Sequence, residues 1–182
     1  MAAQLTLRRA TPDDLDALIA TLSAGFESFA EFAPEGWSPP EPERERTAAL
    51  LAEPTTWAMI AEQGDRAVGH VSFTPARGRP FEQHGGAWLD EPAIPGQAHL
   101  WQLFVVPDRW GSGIAGTLHD AALEEMTIRG YRRARLFTPV AHRRARRFYE
   151  RRGWTAGATG AEDELGLEMV EYVAELSRRP AP

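Results

Sequence analysis

The chain has 182 residues, contains no cysteine and carries a net charge of −6 at pH 7, which excludes disulfides, thiolate metal sites and a cysteine nucleophile. This length predicts one domain, residues 1–182, and the negative charge argues against nucleic-acid binding. The N-terminus has no apolar leader and no run of eighteen apolar residues occurs, so we expect a cytoplasmic protein that does not contact membranes. No metal site is expected.

In the N-terminal half, an alternating stretch at 4–9 predicts an edge strand. Thr11 followed by Pro12 is a helix start, and helices are predicted at 12–29 and 43–52. Two strands, at 57–62 and 67–74, flank a short hairpin loop that contains Gly64. The Gly- and Pro-rich stretch 77–97 predicts a long connection.

In the C-terminal half, strands are predicted at 99–106, 135–140 and 167–176. Apolar residues recur with helical spacing at 111–129, with Gly130 as the stop, and a short helix at 142–152 ends at Gly153. The order is β, α, α, a β meander, and then β-α-β-α-β. We therefore predict an α/β fold with a mixed central sheet of about six to seven strands and helices on both faces.

Charge is unevenly distributed along the chain. Between Arg129 and Arg152 there are ten arginines and one acid, Glu150, a charge of +9, so the rest of the chain carries −15. This asymmetry favours an anionic ligand near the basic segment. A solvated basic helix face would give the same pattern.

A glycine turn at residues 111–116 carries the strongest functional signal. A buried strand runs through Pro107 into Gly111, Gly113 and Gly116, and the turn opens a helix. The first N–H groups of a helix are unpaired, and together with the helix dipole they attract phosphate.

Two other interpretations fit this turn. The three glycines satisfy G-x-G-x-x-G, the pattern of dinucleotide-binding folds. Against that, residues 107–110 separate strand from turn, no acid ends the next strand, and little chain remains for a doubly wound sheet; Arg143 and Arg144 could imitate an NADP site. A glycine turn without any ligand is the second alternative.

The stretch from Phe104 to Gly116 resembles the acyl-CoA signature of the GNAT N-acetyltransferase superfamily, which reads apolar strand, proline, then Arg/Gln-x-x-Gly-x-Gly/Ala. Aligned on Pro107, the family's last two small residues fall on Gly113 and Ala115. The Arg/Gln position falls on Trp110, which is a departure, and Arg109 precedes it. The resemblance implies a cofactor-binding set, which comprises Phe104, Val105, Val106, Arg109, Trp110, Gly111, Ser112, Gly113, Ile114 and Ala115.

A second block, His142 to Trp154, resembles the family's N-x-x-A-x-x-F-Y-E-K-x-G-F. His142 replaces the usual Asn, and the resemblance implies a contact between His142 and CoA. Four arginines of this block could meet the CoA phosphates: Arg143, Arg144, Arg146 and Arg147. The two blocks lie about 30 residues apart with a strand between them, as the family requires.

The resemblance also implies roles in catalysis. The strand holding Phe104 and Val105 splays from the next strand, pantetheine enters the gap, and a backbone N–H faces the thioester carbonyl. Tyr149 matches the family's general acid. His99 matches the place where some members carry a glutamate base, and histidine titrates near neutrality; a hydrogen-bonded strand-end histidine is the alternative. His84 is a second base candidate.

We therefore expect an N-acetyltransferase that moves the acetyl group of acetyl-CoA to a primary amine of a small molecule or peptide by direct attack, since no cysteine can carry the acyl group. Acids and aromatics at 27–45 favour a cationic amine, although such acids are also common in solvated loops. A non-catalytic acyl-CoA-binding module is the alternative function. A homodimer is compatible with the sequence.

Overall fold

The structure of the protein is a computed structural model that describes residues 4–42, 44–78, 81, 91–162 and 165–176. Within these ranges the chain forms a mixed β-sheet and four α-helices. No helix in this part of the chain is long and apolar enough to cross a membrane.

Seven strands form the sheet in the part of the chain that the structure describes, in the order β1-β2-β3-β4-β5-β7-β6. Their bounds are β1 Leu5–Arg9, β2 Trp57–Gln63, β3 Arg66–Arg77, β4 Ala93–Val105, β5 Arg133–Pro139, β6 Thr155–Glu162 and β7 Leu167–Glu175. The pairs β1/β2, β2/β3, β5/β7 and β6/β7 are antiparallel, and β4/β5 is parallel. The predicted α/β fold with a mixed sheet is confirmed.

The helices are α1 Leu15–Glu27, α2 Arg44–Ala52, α3 Ile114–Ile128 and α4 Arg143–Arg151. A short 3-10 turn, Pro12–Asp14, precedes α1, and the backbone N–H of Thr11 donates to the Asp14 carboxylate over 2.8 Å. This hydrogen bond caps the N-terminus of the first helical segment, at the start that Thr11 and Pro12 predicted. Beyond the end of α3, the N–H of Tyr131 donates to the carbonyl of Met126 over 3.0 Å, a closing bond around Gly130.

The chain divides into two compact units. The first comprises Met1–Thr74 and Trp101–Ala122. In it, neighbouring residues of β3 face opposite helices: His70 contacts Thr21 of α1, whereas a Cβ added at Gly69 would meet Leu118 of α3. Helices therefore cover both faces of this sheet segment, as predicted. Its core consists of fully buried apolar side chains, which include Leu18, Leu50, Ile60, Val68, Val71, Phe73 and Leu118.

The second unit comprises Pro75–Leu100 and Leu123–Pro182. Here β4 pairs in parallel with β5 through Gln97, Ala98 and His99, which lie opposite Arg133, Ala134 and Arg135. Both strands continue past this three-residue ladder, β4 to Val105 and β5 to Pro139. The core of this unit contains Met126, Leu136, Trp154 and Tyr172.

Two parts of the sheet differ from the prediction. Strand β4 begins at Ala93 and not at residue 99, so 93–97 belong to a strand and not to the long connection. The sequence did not predict a strand here because it contains Pro95 and Gly96, and both residue types are rare inside strands. Strand β6 was not predicted at all: it is rich in glycine and alanine, largely exposed, and held by its pairing with β7. Residues 79–80 and 82–90, with His84 among them, lie outside the described residues, as does Glu43.

Candidate functional site

The glycine turn has the geometry that its sequence predicted. Strand β4 ends at Val105, a 3-10 turn covers Pro107–Arg109, and α3 begins at Ile114. Gly111 and Gly113 have φ angles of +78° and +89°, and a Cβ added to either would find nothing within 4 Å. The turn is therefore a backbone shape that favours glycine, beside open space. The first N–H groups of α3 follow directly and have no partner within the helix.

At the end of β4, the three residues predicted to bind the cofactor through their backbone differ in the direction of their N–H groups. The N–H of Val106 donates to Val68 on β3 over 3.0 Å, so it cannot also face a ligand. Backbone groups alternate in direction along a strand, so those of Val105 point away from β3 and those of Phe104 point toward it. Among these three predicted residues, Val105 is the one whose N–H suits a ligand. Its carbonyl accepts the indole N–H of Trp110 over 2.8 Å, so Trp110 braces the strand end.

Side chains around the turn form hydrogen bonds with neighbouring residues of the protein. The Nε of Arg109 donates to Gln63 over 2.7 Å, and its Nη1 contacts the Asp108 carboxylate at 2.8 Å. The hydroxyl of Ser112 donates to the carbonyl of Arg109 over 2.6 Å. Ile114 is buried and anchors the start of α3, whereas Gly111, Ser112 and Gly113 are exposed and Ala115 is half-buried. The predicted contact between Arg109 and phosphate stays a prediction.

Tyr149 lies in the second unit, on α4, and is only 7% exposed. Its ring packs against those of Phe148, Trp154 and Tyr172, with centroids 5.2, 5.8 and 6.1 Å away. Burial raises the pKa of the Tyr149 hydroxyl well above its usual value. The phenol therefore stays protonated throughout the working pH range of a protein, and the same burial makes its proton harder to donate; the acid role of Tyr149 stays a prediction.

The basic helix α4 is only partly available to an anion. The Nε of Arg146 donates to the hydroxyl of Tyr172 over 3.2 Å, and its Nη1 donates to the carbonyl of Val140 over 3.1 Å. Arg143, Arg144 and Arg147 are exposed. His142 lies just before the helix, and its backbone N–H donates to Pro139 over 2.9 Å. Burial and the nearby Arg144 lower the pKa of His142 to about 4, so its ring is neutral.

His99, the predicted base, is half-buried on β4 in the second unit. Burial and the Arg135 guanidinium lower its pKa to about 3. A histidine with this pKa is neutral at pH 7 but holds an added proton weakly, so these surroundings do not favour a role as general base. The role of His84 stays a prediction, because that residue is outside the described ranges.

The aromatic residues of the predicted acceptor region form a cluster in the first unit. The buried ring of Phe29 lies 5.8 Å from Phe26, 5.2 Å from Phe32, 6.5 Å from Trp37 and 6.4 Å from Phe104, between centroids. Phe104 also packs directly on α1 at Gly25, where an added Cβ would lie 2.1 Å from the ring.

Five of the acids proposed to attract a cationic amine are exposed, namely Glu27, Glu31, Glu35, Glu41 and Glu45. Packing accounts for the aromatic residues, and the cationic acceptor stays a prediction.

A buried polar chain in the first unit was missed from the sequence. It runs from Thr21 through His70 and Gln102 to Ser72, all at most 5% exposed. The Nδ1 of His70 lies 2.6 Å from the Thr21 hydroxyl, and its Nε2 lies 3.0 Å from the Gln102 side-chain oxygen. Because that oxygen can only accept, Nε2 carries the proton. The sequence signal was the presence of polar residues in two neighbouring apolar strands, His70 and Ser72 in β3 and Gln102 in β4.

We expect this chain of buried polar side chains to make the stability of the protein depend on pH. Burial lowers the pKa of His70 from 6.5 to about 4, so the unfolded state binds a proton more readily than the folded state between these values. Neutral His70 makes its full contribution to the free energy of unfolding above pH 6.5. This contribution declines by about 3 kcal/mol in all as the pH falls toward 4. Urea unfolding of wild type and His70→Gln from pH 7.5 to 4 should show a shallower decline for the variant.

Ser72→Ala is the matched control, since it shortens the same chain without removing a titrating group. It should lose stability at every pH and keep the wild-type slope. Parallel curves for wild type and His70→Gln would contradict the assignment.

A strand followed by a glycine turn and the start of a helix, next to open space, is an arrangement that binds phosphate groups in other proteins. The described residues contain no cluster of three metal-ligating side chains. Residues 22–154 match the family model described as Acetyltransferase (GNAT) family. The match covers more than half of the chain, which therefore belongs to the GNAT acetyltransferase family.

Similar proteins agree with this assignment. An uncharacterized N-acetyltransferase of Archaeoglobus fulgidus is 28% identical over 161 residues, 87% of this chain and 100% of the relative. The PaiA N-acetyltransferase of Thermoplasma acidophilum, solved with coenzyme A, aligns with a TM-score of 0.69 at 16% identity over 92% of this chain and 98% of its own. The yncA structure from Salmonella typhimurium, solved with its cofactor acetyl-CoA, aligns with a TM-score of 0.66 at 16% identity. The alignment covers 98% of this chain and 97% of that structure's chain. These structural matches show that the fold is shared.

Proposed function

We propose that the protein binds acetyl-CoA and transfers its acetyl group to a primary amine by direct attack. The observation that carries the proposal is the glycine turn, where Gly111 and Gly113 leave open space beside the unpaired N–H groups of α3. Family membership and the coenzyme bound in the two solved structures named above support it.

Acetyl-CoA supplies the acetyl thioester in this proposal. The N–H groups at the start of α3 bind the pyrophosphate, aided by the helix dipole. Val105 offers its backbone N–H to the thioester carbonyl, where negative charge develops as the amine attacks. Trp110, bonded to the Val105 carbonyl, fixes the orientation of that peptide group.

Tyr149 donates a proton to the leaving thiolate and regains one from the attacking nitrogen as the amide forms, so the sum of the steps releases one proton to solvent. The amine must lose a proton before or during attack, and a lysine-like amine is mostly protonated at pH 7. Because His99 binds a proton weakly, we propose that water carries this proton to solvent. No acyl-enzyme on cysteine can form, since the chain has none.

Thiol release from acetyl-CoA tests the proposal, with a panel of simple amines, amino acids, polyamines, aminoglycosides and peptides. The chain has no lysine, so acetylation of its own lysines cannot raise the background. We expect amine-dependent release together with saturable binding of acetyl-CoA in isothermal titration calorimetry. Binding without release for every amine would favour the acyl-CoA-binding module, and absence of binding would refute the proposal.

A further inference from the structure

The hairpin between β2 and β3 contacts the segment that leads into the glycine turn, and both belong to the first unit. Gln63 and Arg66 are opposite each other across this hairpin, because a two-residue loop, Gly64 and Asp65, joins the strands. Residues that are directly opposite share one face of a sheet, so both side chains can reach the same neighbour. That neighbour is the 3-10 turn Pro107–Arg109.

Four side chains connect the hairpin to this segment and form what we call the hairpin clamp: Gln63, Arg66, Asp108 and Arg109. Arg66 donates from both Nη atoms to the two carboxylate oxygens of Asp108, over 2.8 and 3.1 Å. Arg109 donates from Nη1 to the same carboxylate over 2.8 Å and from Nε to Gln63 over 2.7 Å. The hydrogen bonds from Arg66 hold the pKa of the Asp108 carboxyl below its usual value, so Asp108 is ionised at neutral pH.

The hairpin clamp lies on the surface, so it contributes little to the stability of the whole fold. The side chains of Arg66 and Asp108 are 55% and 49% exposed, and exposed ion pairs stabilise a protein only weakly because water screens them. A bidentate pair inside a network nevertheless fixes local geometry. A segment that is ordered in advance loses less entropy when a ligand binds, so the effect of the clamp should appear in binding.

The hairpin clamp acts on the glycine turn through the main chain of Arg109. The carbonyl of Arg109 accepts from the Ser112 hydroxyl over 2.6 Å and from the Ser112 N–H over 3.3 Å. On either side of Ser112, Gly111 and Gly113 have positive φ angles, and an added Cβ at either would meet nothing within 4 Å. Little packing therefore holds the two glycines. The bonds between Ser112 and Arg109 set the shape of the turn, and the clamp sets the position of Arg109.

The negative charge of Asp108 points to a geometric role. A carboxylate just before a phosphate-binding turn repels phosphate and by itself weakens anion binding. The two guanidiniums that contact it offset this repulsion. Asp108 therefore favours an anionic ligand only through the geometry that it imposes.

We propose that Asp108 is a positioning residue for the coenzyme: through the hairpin clamp it holds the glycine turn in its binding shape before acetyl-CoA arrives. The proposal rests on the proposed acetyl transfer and adds to it a residue that acts without touching the ligand. It assigns no phosphate contact to Arg66 or Asp108. When the clamp is released, the turn samples other shapes, and the apparent affinity falls in proportion to the population of the binding shape.

Two asparagine substitutions separate geometry from charge. Asp108→Asn removes one negative charge and weakens the clamp bonds. Asp65→Asn removes one negative charge from the same hairpin, where Asp65 is exposed and, within the described ranges, its side chain forms no hydrogen bond or ion pair. Charge alone predicts tighter acetyl-CoA binding in both variants. In isothermal titration we expect Asp108→Asn to bind about three- to tenfold more weakly than wild type, and Asp65→Asn to bind as tightly or slightly more tightly.

A positioning role should appear in KM and not in kcat. In Asp108→Asn, KM for acetyl-CoA should rise, while kcat at saturating coenzyme and KM for the amine stay within about twofold of wild type. Asp108→Glu keeps the charged acceptor and should recover part of the affinity. Arg66→Gln should weaken binding in wild type and add little in Asp108→Asn, because Arg66 acts through Asp108. Thermal unfolding checks that the variants fold.

Amide hydrogen exchange gives a readout that does not depend on turnover. Without coenzyme, exchange at residues 111–113 should be faster in Asp108→Asn than in wild type and unchanged in Asp65→Asn. Acetyl-CoA binding to Asp108→Asn as tight as to wild type, or tighter, overturns the proposal, as does unchanged exchange in the turn. If wild type binds no acetyl-CoA while exchange in the turn still speeds up in Asp108→Asn, acetyl transfer fails and the clamp stands.

Discussion

Replacing Tyr149 by phenylalanine is expected to lower kcat by about 10²- to 10⁴-fold, the usual contribution of a positioned acid. The substitution removes the hydroxyl and keeps the ring that packs against Trp154 and Tyr172, so the fold should survive. Because burial keeps the phenol protonated, the wild-type rate should show no loss from Tyr149 ionisation up to pH 9. Steady-state rates over pH 6–9 and acetyl-CoA affinity measured by calorimetry check this.

Tyr172→Phe is the matched control. The hydroxyl of Tyr172 donates to Glu150 over 2.6 Å and also contacts Arg146. Removing it should therefore lower the free energy of unfolding by about 1–3 kcal/mol. The rate should change little. If Tyr149→Phe keeps kcat within a few-fold of wild type, the proton reaches the thiolate by another route, and the acid role assigned to Tyr149 is wrong.

Gly113→Ala is expected to weaken acetyl-CoA binding by about 10- to 100-fold, the equivalent of one to three kcal/mol of backbone strain. Gly113 has a φ of +89°, which side-chain-bearing residues rarely adopt. Relief of that strain would turn the N–H groups of the first α3 turn away from the ligand. The added methyl would also occupy the open space at the turn. Isothermal titration with acetyl-CoA measures the change directly.

Gly130→Ala provides a control at the other end of α3. Gly130 has a φ of +85°, and an added Cβ there also finds nothing within 4 Å. The two substitutions should therefore cost similar stability, while only Gly113→Ala should reduce affinity. Equal acetyl-CoA affinity in the two variants would show that the turn does not hold the coenzyme.

Local sequence signals predicted the elements around the turn well. Thr11 and Pro12 marked the start of the first helix, Gly130 the end of α3, and the glycines the turn itself, because each of these residues acts on its own backbone. The short helix that carries Tyr149 was also predicted, at 142–152. Such effects are local, so they can be recognised without knowing the tertiary contacts.

Long-range contacts were the part that the sequence did not reveal. Strand β6 is exposed and depends on its pairing with β7. The beginning of β4 forms despite Pro95 and Gly96. The state of His99 depends on Arg135, 36 positions away along the chain, and the two partners of His70 come from helix α1 and strand β4. Proton affinity and hydrogen-bond direction at these residues are therefore tertiary properties, which explains why His99 resembled a base in the sequence.

The contact of Phe104 with Gly25 has an evolutionary consequence. The ring occupies the volume that any side chain at position 25 would need, so the two positions are free to diverge only together. A lineage that enlarges residue 25 must first shrink residue 104, and each such exchange would reshape the aromatic cluster that Phe104 forms with Phe26 and Phe29. Diversification of this cluster is therefore expected to proceed by paired replacement and not by single steps.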